Sequence, residues 1–182
     1  MAKGKGKYWF FGIVGVLVVA AAIDHEQVMT IINLAIGLKR QGFLDKTEER
    51  KYEASTRANL TAIYNGMKLF HESEGQYPKS SQWMDAIKNR IQTGDMSEAE
   101  AAKKLIDPGL KGKANAYGYA MNDAASEKYE GDLKDKKMPL IFMSSDTAKN
   151  AHGDPAKLAP NPPRPGGNFA VTVDGSIVKL GK

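Results

Sequence analysis

A chain of 182 residues without a cysteine must carry any chemistry on its histidines, carboxylates, hydroxyls and lysines. The histidines are His25, His71 and His152. A transition-metal site needs several nitrogen, sulfur or carboxylate ligands converging on one point. His71 has Glu72 beside it in a helical stretch and reads as part of a solvated face. His152 lies near Asp146 and Asp154 in a proline-rich stretch, with no second ligand spaced to support it. His25 stands between Asp24 and Glu26 at the end of an apolar run, where polar residues are expected anyway.

Nucleophilic and phosphate chemistry fare no better. Gly-x-Ser-x-Gly does not occur, and Asp174-Gly175-Ser176 reads as a turn. The pair Glu48 and Glu49 suits the start of a helix, where carboxylates complement the dipole. "GKGK" and "GLKGK" lack the Gly-x-x-x-x-Gly-Lys-Ser/Thr spacing that cradles phosphate. We therefore assign no catalytic, cofactor-binding or metal-binding residue and expect a protein that is not an enzyme. The missing cysteines also exclude a disulfide framework, a thiolate metal site and a lipoprotein anchor. Net charge is +5, and Lys3, Lys5 and Lys7 supply three of those charges ahead of the first apolar run. The remainder is near balance, so no nucleic-acid partner is expected.

The elements that would position these groups begin with a membrane signal. After "MAKGKGK" the run "YWFFGIVGVLVVAAAI", Tyr8 to Ile23, contains no charge. As a helix it rises about 24 Å, somewhat short of the ~30 Å hydrocarbon layer. Tyr8 and Trp9 favour the interface and can make up the difference. Lysines before the run and acidic residues after it place residues 1–7 in the cytoplasm and the body outside. The competing reading is a cleaved signal peptide with Ala20-Ala21-Ala22 as its processing site, and we expect a retained anchor instead. Residues 24–46 form a membrane-proximal segment. There Val28, Ile31, Ile32, Ala35 and Leu38 recur at helical spacing, and we expect the anchor helix to continue through it with at most a slight kink.

Residues 47–182 read as one outer domain. In "DKTEERKYEASTRANLTAIYNGMKLFHESEG", Leu60, Ile63, Met67 and Phe70 fall on one face of a long helix, and Gly75 is a natural cap. Tyr77 and Pro78 turn the chain, so that Trp83, Met84 and Ile87 of a second helix, Ser81 to Ile91, fold back on that face. Ser80 or Ser81 is its expected cap. A third helix starts at Ser97, with Glu100 at capping-box spacing, and stops at Asp107-Pro108-Gly109. "AYGYAM", "PLIFM", "NFAVTV" and "SIVKL" read as strands, the last two joined by an Asp174-Gly175 hairpin. Ala151 to Gly167, with five prolines, reads as a loop. The expected fold is α+β, with a small antiparallel sheet packed on the long helix.

The ordered series of an apolar anchor, a long helix, Gly75-x-Tyr77-Pro78, "DPGLKGKANAYGY", "PLIFMSS" and the closing "GGNFAVTVDGSIVKL" resembles the type IV pilin and type II secretion pseudopilin superfamily, over roughly Ala54 to Leu180. The prepilin peptidase motif is missing: Gly6 precedes Lys7, Gly12 precedes Ile13, and the apolar run has no Glu. Major pseudopilins often hold calcium near their C-terminal strands, and Asn122, Asp123, Asp132 and Asp135 offer oxygen ligands of the type it takes. Their spacing is not that of an EF-hand, and "EKYEGDLKDKK" reads equally as a solvated charged loop, so no cofactor is assigned. The resemblance implies a single-pass structural subunit of the bacterial inner membrane, partnered by lipid and by other membrane-anchored subunits. The alternatives are an accessory subunit packed on an unrelated membrane complex and a secreted binding protein released after Ala22.

Overall fold

The computed structural model describes residues 25–40, 42–92, 94 and 96–181. The apolar run Tyr8 to Ile23 and the basic residues before it lie outside them. The chain divides into two compact units between Glu48 and Glu49. Helix α1 spans His25–Arg40 and is followed after Gly42 by helix α2, Phe43–Glu74, within which the boundary between the units falls. The junction of α1 with the expected anchor lies outside the described residues, and within residues 25–46 the helical run breaks at Gly42. Gly42 has φ +65 and its N–H closes on the Lys39 carbonyl, while its own carbonyl accepts from Lys46 as the helix restarts.

In the second unit the sequence periodicity of α2 becomes a buried seam. Leu60, Ile63 and Met67 are fully buried and Phe70 packs against the same core. Gly75 has φ +79 and ends the helix, its N–H returning to the His71 carbonyl. Tyr77, fully buried, and Pro78 then lead through a 3-10 turn, Ser80–Gln82, into helix α3, Trp83–Ile91. Trp83, Met84 and Ile87 join the core as the spacing required, and the Trp83 Nε1–H donates to the Ala151 carbonyl at 3.0 Å. Neither serine caps α3 by its side chain. Ser80 Oγ instead donates to Asp123 Oδ1 at 2.7 Å, a longer-range partner that outcompetes the local one. Helix α4, Glu98–Lys104, opens with the full capping box between Ser97 and Glu100.

The described residues form a five-stranded sheet in the order β3-β1-β2-β4-β5. The strands are β1 Tyr119–Asn122, β2 Pro139–Met143, β3 His152–Gly153, β4 Phe169–Thr172 and β5 Ile177–Lys179. Three pairings are antiparallel, and β4 and β5 form the expected hairpin. The sheet is nonetheless mixed: β3 runs parallel to β1, and Met121 N–H donates to the Ala151 carbonyl at its start. The stretch Ala151 to Gly167 is therefore not all loop. It supplies an edge strand and then the short helix α5, Pro155–Leu158, capped by Asp154.

Both faces of the sheet are covered. Tyr119, Met121, Ile141, Met143, Phe169 and Val171 share one core with α2, while Ala120, Phe142, Ala151 and Ala170 form a smaller cluster with Leu158 and Val178. Double coverage explains why β1 and β4 are buried at every position, where a sheet with one wet face would alternate.

Candidate functional site

Helix α4 ends into Asp107, which opens a 3-10 turn, Pro108–Leu110, and accepts the Gly109 N–H at 2.7 Å on Oδ1. The same oxygen accepts the Tyr52 hydroxyl of α2 at 2.9 Å. Oδ2 lies 3.0 Å from Arg164 Nη1 in an ion pair, and Arg164 Nη2 donates to the Ser144 carbonyl at 2.8 Å. Asp107 is fully buried, and its own N–H donates to the Tyr117 carbonyl. Asp107 thus ties α2, the turn after α4 and the proline-rich segment through its carboxylate and the entry to β1 through its N–H, and Arg164 carries the link on to the end of β2. Gly118 makes the approach possible. At φ +81, a Cβ there would stand 2.5 Å from Leu110 Cδ1 and 3.0 Å from Asp107 Cβ.

The electrostatics follow from burial. Desolvation pushes the Asp107 carboxyl above its ordinary range, against the pull of the Arg164 guanidinium. Burial, with Asp107 alongside, pushes the Tyr52 and Tyr119 hydroxyls well above theirs. The oxygens of this buried acid are thus engaged by Tyr52, Gly109 and Arg164, groups from three separate segments.

Outside this clamp lies a groove of about 550 Å³. From α2 the groove is lined by the small side chains of Ala54, Ser55 and Ala58 and by Asn59. Ile106 and Pro108 supply apolar surface, and Asn59 of α2 holds that segment by donating from Nδ2 to the Ile106 carbonyl at 3.0 Å. Lys103, Lys104, Lys111 and Lys113 line the same groove. Among the described residues none of these four lysines forms an ion pair. Asp107 at the back wall is already matched by Arg164, so the groove is cationic with an apolar floor.

The residues that drew attention in the sequence are placed elsewhere. His71 is half-buried, not solvated: its Nε2 accepts the Glu130 N–H at 3.0 Å and its ring packs 5.0 Å from Tyr77. His152 Nδ1 sits 2.8 Å from Asp123 Oδ1, the oxygen that also receives Ser80 Oγ. Those two contacts, Ser80 first, hold Asp123 below the usual carboxylate range. His25 opens α1. The oxygen ligands considered for calcium are not gathered. Asn122 donates to the Pro139 carbonyl of β2 and accepts from the Ala124 N–H, and Asp135 accepts from the Lys137 N–H, so each is engaged within the protein. Among the described residues no group of three His, Cys, Asp or Glu side chains is arranged to hold a metal. Sequence reasoning missed Tyr52 and Arg164 altogether and took Asp107 as a helix stop and the start of a turn motif. The one signal available was an Asp-Pro-Gly turn whose Asp precedes a 3-10 turn, and nothing local pairs it with an arginine.

No protein-family description, characterised protein or solved structure matches the chain.

Proposed function

We propose that this chain is a non-catalytic, membrane-anchored structural subunit of a multi-protein envelope assembly, pilin-like in plan. The observation that carries the reading is α1. Met29, Ile31, Ile32, Leu34 and Ile36 are each between 43% and 64% exposed within one 16-residue helix. Large apolar side chains spread around a helix in this density mark a surface that meets lipid or another helix. Among the described residues no helix is long and apolar enough to cross a membrane. The spanning role falls to Tyr8 to Ile23, with α1 packing at the outer interface or against neighbouring subunits.

The pilin-like plan draws support from α2, whose C-terminal half shares a core with the sheet, and from the turn at Gly75, Tyr77 and Pro78, where Tyr77 is buried. The missing prepilin peptidase motif favours a second reading, an accessory subunit seated on a different membrane complex. The test is extraction of the protein from its own membrane in mild detergent, followed by a native gel and mass spectrometry of the bands. A ladder of this chain alone supports the pilin-like polymer, and a discrete band shared with other membrane proteins supports the accessory subunit. Recovery as a soluble monomer refutes both.

A further inference from the structure

The groove beside the Asp107 clamp has features that its structural role leaves unexplained. Four lysines from two segments, the last turn of α4 and the turn after Leu110, line one concavity; Lys103 and Lys104 feel the carboxylate of Glu100 one turn earlier, and none of the four closes an ion pair among the described residues. A solvated lysine needs no partner. Yet four of them around an apolar floor, with the small side chains of Ala54, Ser55 and Ala58 beside Asn59 on the helical wall, leave a positive field and an uncovered apolar surface in the same place. The geometry points to a docking site for an acidic amphipathic segment of a partner protein, whose apolar side chains fill the floor while its carboxylates meet the lysines.

Complementarity decides among occupants. An inorganic anion would satisfy the charge and leave Ala54, Ala58, Ile106 and Pro108 uncovered. Nucleic acid is favoured by arginine forks and stacking aromatics, and the groove is lined by neither. A bilayer surface is met by exposed convex apolar residues, whereas this apolar surface lies inside a concavity. Lysine is suited to exposed carboxylates at a polar rim, a compact charge that needs no bidentate geometry. Small residues on α2 allow a bulky side chain of the guest to reach the helix, the arrangement used when an amphipathic helix lies in a groove. All the lining residues belong to the Glu49–Lys182 unit, so the inference does not depend on how the N-terminus is anchored.

The experiment uses the full chain in detergent micelles. The probe is a fluorescein-labelled synthetic helix with leucines on one stripe flanked by glutamates, read by anisotropy. Two variants are compared in the same micelles: the combined Lys103→Glu, Lys104→Glu, Lys111→Glu, Lys113→Glu protein, and Ala58→Arg, which fills the floor from an exposed helix position. Affinity is expected to fall by about tenfold or more in each, with the charge-reversed protein also losing its salt dependence. Circular dichroism melting that stays unchanged in Ala58→Arg shows that the loss is not unfolding. Equal binding by wild type and variants overturns the proposal. So does equal affinity for a peptide with serines replacing the leucines, or for inorganic polyphosphate, since either means a basic patch without a docking floor. Binding to phosphatidylserine vesicles that depends on the same four lysines, without peptide binding, overturns it in favour of a membrane surface.

Discussion

Replacing Arg164 by Met removes the one cation facing Asp107 while keeping the length of the side-chain stem. Asp107 is fully buried and Arg164 is 14% exposed, so little solvent can take over the lost role. Removing one partner of a buried ion pair costs about 3 to 5 kcal/mol, because the other charge is left uncompensated. Asp107 keeps the Tyr52 hydroxyl and the Gly109 N–H, which places the expected loss near the lower end, about 3 kcal/mol. The cost must also depend on pH. Burial already raises the folded-state pKa of Asp107 above its ordinary 3.8, and Arg164 is the largest of the opposing influences, ahead of the Gly109 N–H and the Tyr52 hydroxyl. Between those two values the folded protein binds more protons than the unfolded chain, so stability falls as pH rises through the window. Without Arg164 the folded value climbs further and the window widens upward. The deficit of Arg164→Met relative to wild type is therefore largest near neutral pH and shrinks as pH falls, vanishing only where Asp107 is protonated in the folded form of both proteins. Urea unfolding followed by circular dichroism across that range measures it. The double variant Asp107→Asn, Arg164→Met keeps an acceptor for Tyr52 and Gly109 without a charge, and is expected to recover to within about 1 kcal/mol of wild type with a flat pH response. A loss below about 1 kcal/mol in the single variant, or one as large at acidic pH as at neutral, would refute the reasoning.

Further substitutions probe other parts of the frame. Trp83→Ala empties a fully buried site and is expected to cost about 3 to 5 kcal/mol, lowering Tm by roughly 6 to 20 °C. The Ala151 carbonyl keeps the Met121 N–H, so cavity and transfer account for nearly all of that loss, and an unchanged Tm would reject the packing. Gly118→Ala combines a left-handed backbone with a Cβ 2.5 Å from Leu110 Cδ1 and is expected to cost about 2 to 4 kcal/mol. Gly112→Ala, at φ +91 with nothing near its Cβ, should cost only the backbone share, about 1 to 2 kcal/mol. Equal losses at the two glycines, by chemical denaturation, would show that close approach at Gly118 does not matter.

The functional surfaces were read unevenly from the sequence. The helical spacing of Ile31 and Ile32 marked α1 as apolar, and their exposure is what the assembly proposal rests on. The lysines of "GLKGK" were examined only for phosphate-loop spacing. Their contribution to a groove appears once α2 supplies the facing wall of Ala54 and Ala58, far earlier in the chain. His71 was misread for a similar reason. Glu72 beside it suggested a wet face, while the backbone of Glu130, brought over α2 by the turn, gives its ring a donor and partly buries it.

The sequence by itself determined what depends on a few consecutive residues. Leu60, Ile63 and Met67 recur with the helical period, Ser97 and Glu100 satisfy each other's backbone, and Asp174-Gly175 turns a hairpin, because each relation closes within about one or two turns of chain. Tertiary structure alone decided the Asp107–Arg164 pair, the parallel docking of His152–Gly153 beside β1, and the lysine-lined groove. In each of these the partners are distant in the chain. Their energies come from burial and from the geometry of approach, which no local propensity encodes.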